Sequence, residues 1–160
     1  AAIRDGRGFI FLFNPNYRRM DASFRLDASI GLDRGGRFLL RDLHPEEGRL
    51  VGKPGQGFWS AGDEVVLPMR ANEAMVLELL PAPTRVKEPL LFGAPGRAVL
   101  REGRLEIEGV SGEPGTERLL QVLLPAGSAV ASVAVNGKVR PDAAGLAEDA
   151  ASRLAASRVQ

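Results

Sequence analysis

Carboxylates at regular spacing are the first residues of this chain with the means to do chemistry. The stretch "DASFRLDASIGL", residues 21–32, nearly repeats six letters and gives each copy an aspartate, Asp21 and Asp27. Two carboxyl groups act as an acid/base or acid/nucleophile pair on a glycosidic bond when they stand about 5 to 9.5 Å apart. Over residues 22–32, however, every even position is apolar and every odd one is polar or glycine. That period of two predicts one long strand with a single buried face. On such a strand Asp21 and Asp27 share a face but lie about 20 Å apart, at roughly 3.3 Å per residue. They are too far apart to form a dyad. The same face carries Arg25, Asp27 and Ser29 at two-residue intervals, which reads as a solvated face with a weak Arg25–Asp27 pair or as a polar ligand groove.

Other reactive groups are sparse. His44 is the single histidine and sits in "RDLHPEEG", a turn, with no G-x-S-x-G elbow elsewhere to complete a nucleophilic triad. Without cysteine there is no thiolate nucleophile, disulfide framework or thiolate zinc site. Asp33, Asp42, Asp63, Glu46 and Glu47 recur in loops and could offer oxygens to calcium, although the EF-hand spacing is missing. No cofactor is therefore expected, calcium being the one metal these carboxylates suit. The glycine-rich loops "DRGGR", "KPGQG" and "APGR" lack the spacing that cradles phosphate and read as turns. No catalytic set can be assembled from these residues.

Binding chemistry rests on aromatic rings outside strand patterns, namely Tyr17 and the pair Phe58–Trp59 in "GQGFWSAGD". A loop ring of this kind closes the open end of a core, offers a platform to a ligand, or meets another domain. With 21 Lys and Arg against 20 Asp and Glu, the net charge of +1 supplies no field for nucleic acid or an anionic membrane, and neither is expected as a partner. The apolar run near the start, "FIFLF", is too short for a membrane span or a signal-peptide core. A start lacking Met and any cleavage pattern suggests a piece of a longer polypeptide.

The elements that must hold these residues are strands. "FIFLFN" is apolar on both faces and reads as a strand covered on both sides, closed by the "NPNYR" turn. "GRFLLRDLHP", "GRLVGK", "DEVVLPM" and "EAMVLELLP" follow at hairpin spacing. Four prolines in residues 81–97 mark a connection. Beyond it come the hairpin "RAVLREGRLEIEGV", the strand "ERLLQVLLP", and "ASVAVNGKVR" with an Asn136-Gly137 turn. We expect an all-β fold, a two-layer antiparallel β-sandwich, with a main block at 1–82, a connection at 83–96 and further strands at 97–140 packing on the first block. The alanine-rich residues 141–160 are expected to form a short frayed helix or a disordered tail.

Taken in order, "GFIFLFNPN", "LDASIGL", "FLLRDLHPEEGRL", "FWSAGDEVVLPM" and "EAMVLELLP" resemble the C-terminal antiparallel β-domain of bacterial glycoside hydrolases with a (β/α)₈ barrel, the alpha-galactosidase-like enzymes and their relatives. The resemblance spans roughly residues 8 to 82. It implies a non-catalytic accessory domain that packs on and stabilises the catalytic barrel of a parent polypeptide, with Phe58 and Trp59 as docking candidates. A secreted parent would place it in the periplasm or outside the cell. The alternative is an independent carbohydrate-binding module using Tyr17, Trp59, Arg25 and Asp27; a self-contained hydrolase ranks third.

Overall fold

The computed structural model describes residues 1–53, 57–115, 118–125, 127–128, 132, 134–135, 138–139, 145–148 and 152–159. Their regular structure is almost entirely antiparallel β-strand, in two compact units. The first strands in chain order are β1 (Ala2–Arg4), β2 (Arg7–Phe13), β3 (Met20–Arg25), β4 (Arg37–His44), β5 (Leu50–Val51), β6 (Trp59–Ser60), β7 (Glu64–Met69) and β8 (Ala74–Pro81). All but β5 belong to the first unit, which combines Ala1–Glu47 with Phe58–Ala82.

Within that unit one sheet runs β1-β2-β8-β4, with β6 also on β4, and a second consists of β3 paired with β7. Alternation gives each sheet an apolar face. Ile10, Phe38, Leu40, Met75, Leu77 and Leu79 are buried from the larger sheet, and Val65, Leu67 and Met69 from β7. These inward faces supply the core of the unit. Hairpin spacing is misleading at two places, because β2 and β3 lie in different sheets, and so do β7 and β8. Residues 14–19 and 70–73 are thus corners where the chain changes sheet.

One buried side chain ties the two corners together. The Asn14 amide donates from Nδ2 to the carbonyls of Arg18 (2.9 Å) and Arg70 (2.7 Å), while Oδ1 accepts from the Asn16 backbone N–H at 3.1 Å. Backbone bonds from Asn14 N to Glu73 O (2.9 Å) and from Asn72 N to Asn16 O (3.0 Å) complete the staple. A buried amide that uses both its donor and acceptor ends holds a loop in one conformation, since leaving either end unmade costs free energy.

The long strand expected over residues 22–32 stops at Arg25. Asp27 caps a single 3-10 turn, Ala28–Ile30, by accepting at Oδ1 from the Ser29 backbone N–H at 2.8 Å. Gly31 closes the turn with φ of 83°, a left-handed conformation that favours glycine. Leu26 then bonds through its backbone to Asp63 and Gly62, and both Leu26 and Leu32 are buried. Leu26 and Leu32 reach the core on either side of a turn in which Ala28 stays exposed, because an aspartate offering its own hydrogen bond competes with ladder pairing.

The second unit combines Gly48–Gly57 with Pro83–Gln160. Its remaining strands are β9 (Leu90–Phe92), β10 (Arg97–Arg101), β11 (Arg104–Glu108), β12 (Arg118–Pro125), β13 (Ala134–Val135), β14 (Lys138–Val139), β15 (Gly145–Glu148) and β16 (Ser152–Val159). Gly48–Gly57, expected in the first block, groups here because its polar groups find partners here. Gly93 N donates to Gly48 O at 2.8 Å, and the Gln121 side chain bonds both the N–H and the carbonyl of Leu50, like a neighbouring strand. β12 lies between β9 and β16, with Leu120, Val122, Leu123 and Leu124 buried. Gly93, at φ of 92°, allows a close approach, since a Cβ there would lie 1.9 Å from Leu119 O.

Residues 145–148 and 152–159 correct the expectation of a helical or disordered tail. They form β15 and β16, and β16 pairs with β12 over eight residues. An apolar strand such as "LLQVLL" with an open edge recruits whatever chain can pair with it, and that outweighs the helical leaning of alanine. β10 and β11 form the expected hairpin. β13 pairs with β14 across Asn136-Gly137, whose own residues lie outside those described.

Candidate functional site

The five residues singled out from the sequence do not converge. Arg25 is exposed at the end of β3, and Asp27 sits beyond it in the 3-10 turn, so the shared strand face on which a polar groove depended does not exist. The Asp27 carboxyl is held below its ordinary value, first by the side-chain hydrogen bond from Ser29, then by the backbone one, with Arg25 a smaller contributor. That is the signature of a cap. Phe58 and Trp59 are 4% and 5% exposed, and the Arg37 guanidinium lies over the Phe58 ring at 4.8 Å from its centre. Their rings are core, and the exposed docking pair expected from the sequence is not there. Burying two large rings removes much apolar area from water.

Tyr17 is the exception, at 93% exposed. It belongs to the corner that Asn14 staples, so an exposed ring projects from fixed backbone. Next to it Arg18 and Arg19 are exposed, and with Met20 and Asp21 they line an open depression.

The larger feature is one that sequence reasoning missed. Along β2, Arg7, Phe9, Phe11 and Phe13 alternate with Gly8, Ile10 and Leu12 and point away from the core. Phe9, Phe11 and Phe13 are 42%, 61% and 65% exposed. Successive rings stand about 7 Å apart, so the row is about 13 Å long. Across the ladder the row faces Glu78, Val76 and Ala74 of β8. The Glu78 carboxylate is occupied by Arg41 of β4, whose Nε bonds it at 2.8 Å and whose Nη2 reaches the same oxygen. Val76 and Ala74 beside the rings are apolar, and the exposed His44 of β4 pairs with Val76 on the far side of β8. The signal for this row was present in "FIFLF", but a strand apolar on both faces was read as covered on both.

Arg7 begins the row, and Arg18 and Arg19 lie in the corner that follows β2, where the Arg18 carbonyl is bound by the residue directly after Phe13. Among the described residues none of these three guanidiniums has a carboxylate within ion-pair distance. At the Arg7 end Arg4 lies 3.7 Å from Asp5, and at the Phe13 end Glu73 accepts from the Arg70 backbone N–H at 2.6 Å.

His44 is exposed at the end of β4, Asp42 is buried on the inner side of that strand, and Asp63 accepts from Ser60 N in a turn. Among the described residues no three His, Asp or Glu side chains gather closely enough to hold a metal ion, and no helix is long and apolar enough to cross a membrane. The arrangement can bind: an apolar row with a cation at its start and an exposed tyrosine in the corner that follows has the composition of a recognition surface. Compared with family models, curated proteins and solved structures, the chain matches none.

Proposed function

We propose that this chain is a non-catalytic β-sandwich domain of a larger glycoside hydrolase, and that it packs against and stabilises the catalytic barrel through the outer face of β2. The observation that carries this reading is the row Phe9, Phe11 and Phe13 facing water on one side of one strand. Exposed aromatic residues scattered singly need no explanation, whereas three in register form a contiguous apolar patch that marks an interaction surface. Phenylalanine brings area and shape without a hydrogen-bonding tip, which suits the centre of a protein interface. In this reading docking falls to β2, in place of the buried Phe58 and Trp59.

The test is substitution of the row in the intact parent and in the 160-residue chain. Phe11→Ser with Phe13→Ser is expected to lower the thermal midpoint of the parent while leaving that of the chain nearly unchanged. An unchanged parent would sink the reading.

A second reading, carbohydrate binding, has one observation of its own, the exposed Tyr17 ring on stapled backbone beside the end of the row. Rings stack on the apolar faces of sugars, yet the ladder partners beside Phe11 and Phe13, Val76 and Ala74, offer no group to read hydroxyls. Titration calorimetry with neutral and acidic polysaccharides separates the two. Saturable heat abolished by Tyr17→Ala favours the module, and its absence favours the scaffold.

A further inference from the structure

We infer that Met20 is a site of oxidation by hydroperoxides, and that the Asn16 side chain decides which of the two sulfoxide epimers forms there. The inference is independent of the docking reading, since it concerns one thioether in the corner after β2.

The chain has three methionines. Met69 and Met75 belong to the core, at 1% and 5% exposed, whereas Met20 is 40% exposed and lines the open depression with Arg18, Arg19 and Asp21. Oxidation of a thioether follows access to it, so one residue of the three is open to a peroxide while the fold is intact. The step balances with the hydroperoxide, ROOH, as the oxidant. A sulfur lone pair attacks the terminal oxygen, and an S–O bond forms as the O–O bond breaks. The sulfur loses two electrons, and the hydroxyl proton moves to the departing oxygen to give ROH.

A thioether sulfur has two lone pairs, and oxygen added to one gives the opposite epimer to oxygen added to the other. At Met20 the two are not equivalent. The Asn16 amide donates from Nδ2 to the Met20 sulfur at 2.9 Å and to Asn14 Oδ1 at 3.1 Å. Its two protons are thereby both used, one on the sulfur and one on a buried side chain. Asn14 is in turn fixed by its bonds to the carbonyls of Arg18 and Arg70 and to the Asn16 backbone N–H. One lone pair is therefore covered by a donor that the staple holds in place. An electron pair engaged by an N–H is the weaker nucleophile, and a peroxide oxygen cannot enter where the amide stands. Oxygen adds on the uncovered side and gives one epimer.

The experiment treats the folded 160-residue chain with hydrogen peroxide and follows each methionine by peptide mass spectrometry. Met20 is expected to oxidise at least about tenfold faster than Met69 and Met75. The peptide containing residue 20 is then released by a protease and divided between two methionine sulfoxide reductases, one specific for each epimer, with dithiothreitol as reductant. One reductase is expected to restore most of the Met20 sulfoxide and the other almost none. The chain oxidised in urea is expected to give both epimers in comparable amounts. So is folded Asn16→Ala, which loses the amide but keeps the backbone bonds of residue 16 to Asn14 and Asn72. Oxidation of Met69 or Met75 as fast as Met20 would overturn the site. Both epimers from the folded chain, or a single epimer that persists in urea or in Asn16→Ala, would overturn the role of Asn16.

Discussion

Phe58 and Trp59, at the start of the short strand β6, end in the core, whereas Phe9, Phe11 and Phe13 alternate along the longer strand β2 and face water, although both sets belong to the same unit. The difference lies in which side of its strand each set occupies. Trp59 pairs with the buried Phe38 of β4 and shares its inward side, and beside it the Arg37 guanidinium stacks on Phe58. A strand cannot turn alternate residues around, so with Ile10 committed to the core its outward neighbours stay outward. Buried rings hold the fold together, and outward rings are available for another surface. Trp59→Ala is therefore expected to cost about 3–5 kcal/mol in urea unfolding, the range for truncating a large buried ring. Phe11→Ala, removing a ring of similar area, is expected to change the same measurement by no more than about 0.5 kcal/mol. Similar losses from the two substitutions would break the distinction.

A smaller effect tests what keeps the outward row and its neighbouring tyrosine in place. Asn14→Ala removes the donors that bind the carbonyls of Arg18 and Arg70 and the acceptor for Asn16 N. The expected cost is about 1–3 kcal/mol, typical of leaving buried polar groups unmatched. The loss should be local as well as global. Trypsin is expected to cut after Arg18 or Arg19 faster in the variant under native conditions, because the corner no longer holds one conformation. Unchanged cutting would mean that the corner owes its order to backbone bonds alone.

Much of the fold was legible because alternation survives in strands that have one wet face. "DEVVLPM" became β7 with Val65, Leu67 and Met69 buried, and "EAMVLELLP" became β8 with Met75, Leu77 and Leu79 buried. Sheet membership was not legible, since "RAN" between them has hairpin length but carries the chain from one sheet to the other. The strands of residues 145–148 and 152–159 were hidden as well, because the pairing of β16 with β12 is a property of an edge far away in the sequence. The candidate site fared worst for a related reason. "FIFLF" has the composition of a strand buried on both sides, and composition cannot say whether the same unit supplies a layer for its second face. Asn14 left no pattern at all, since its role depends on two corners meeting in space.

The smallest expected effect concerns residues 22–32, where a turn sends residues inward that a strand would have spaced along a face. If Asp27 lay in a strand, only the weak pair with Arg25 would be expected to act on its carboxylate. As the cap of the 3-10 turn it accepts from Ser29 and is held below its ordinary value. A carboxyl whose folded value is depressed stabilises the fold when ionised. That contribution is complete above the ordinary aspartate value of about 3.9 and is lost as the pH falls through the lower folded value. Asparagine caps about as well as aspartate but does not ionise. Asp27→Asn is therefore expected to unfold at nearly the same urea concentration as the parent sequence once both are well below that range, where neither residue is charged. Above it the parent sequence should be slightly the more stable, and the gap should open only across the acid window. Parallel curves at every pH would mean that Asp27 gains nothing from its charge, and that the turn is held by Gly31 and the buried pair Leu26 and Leu32.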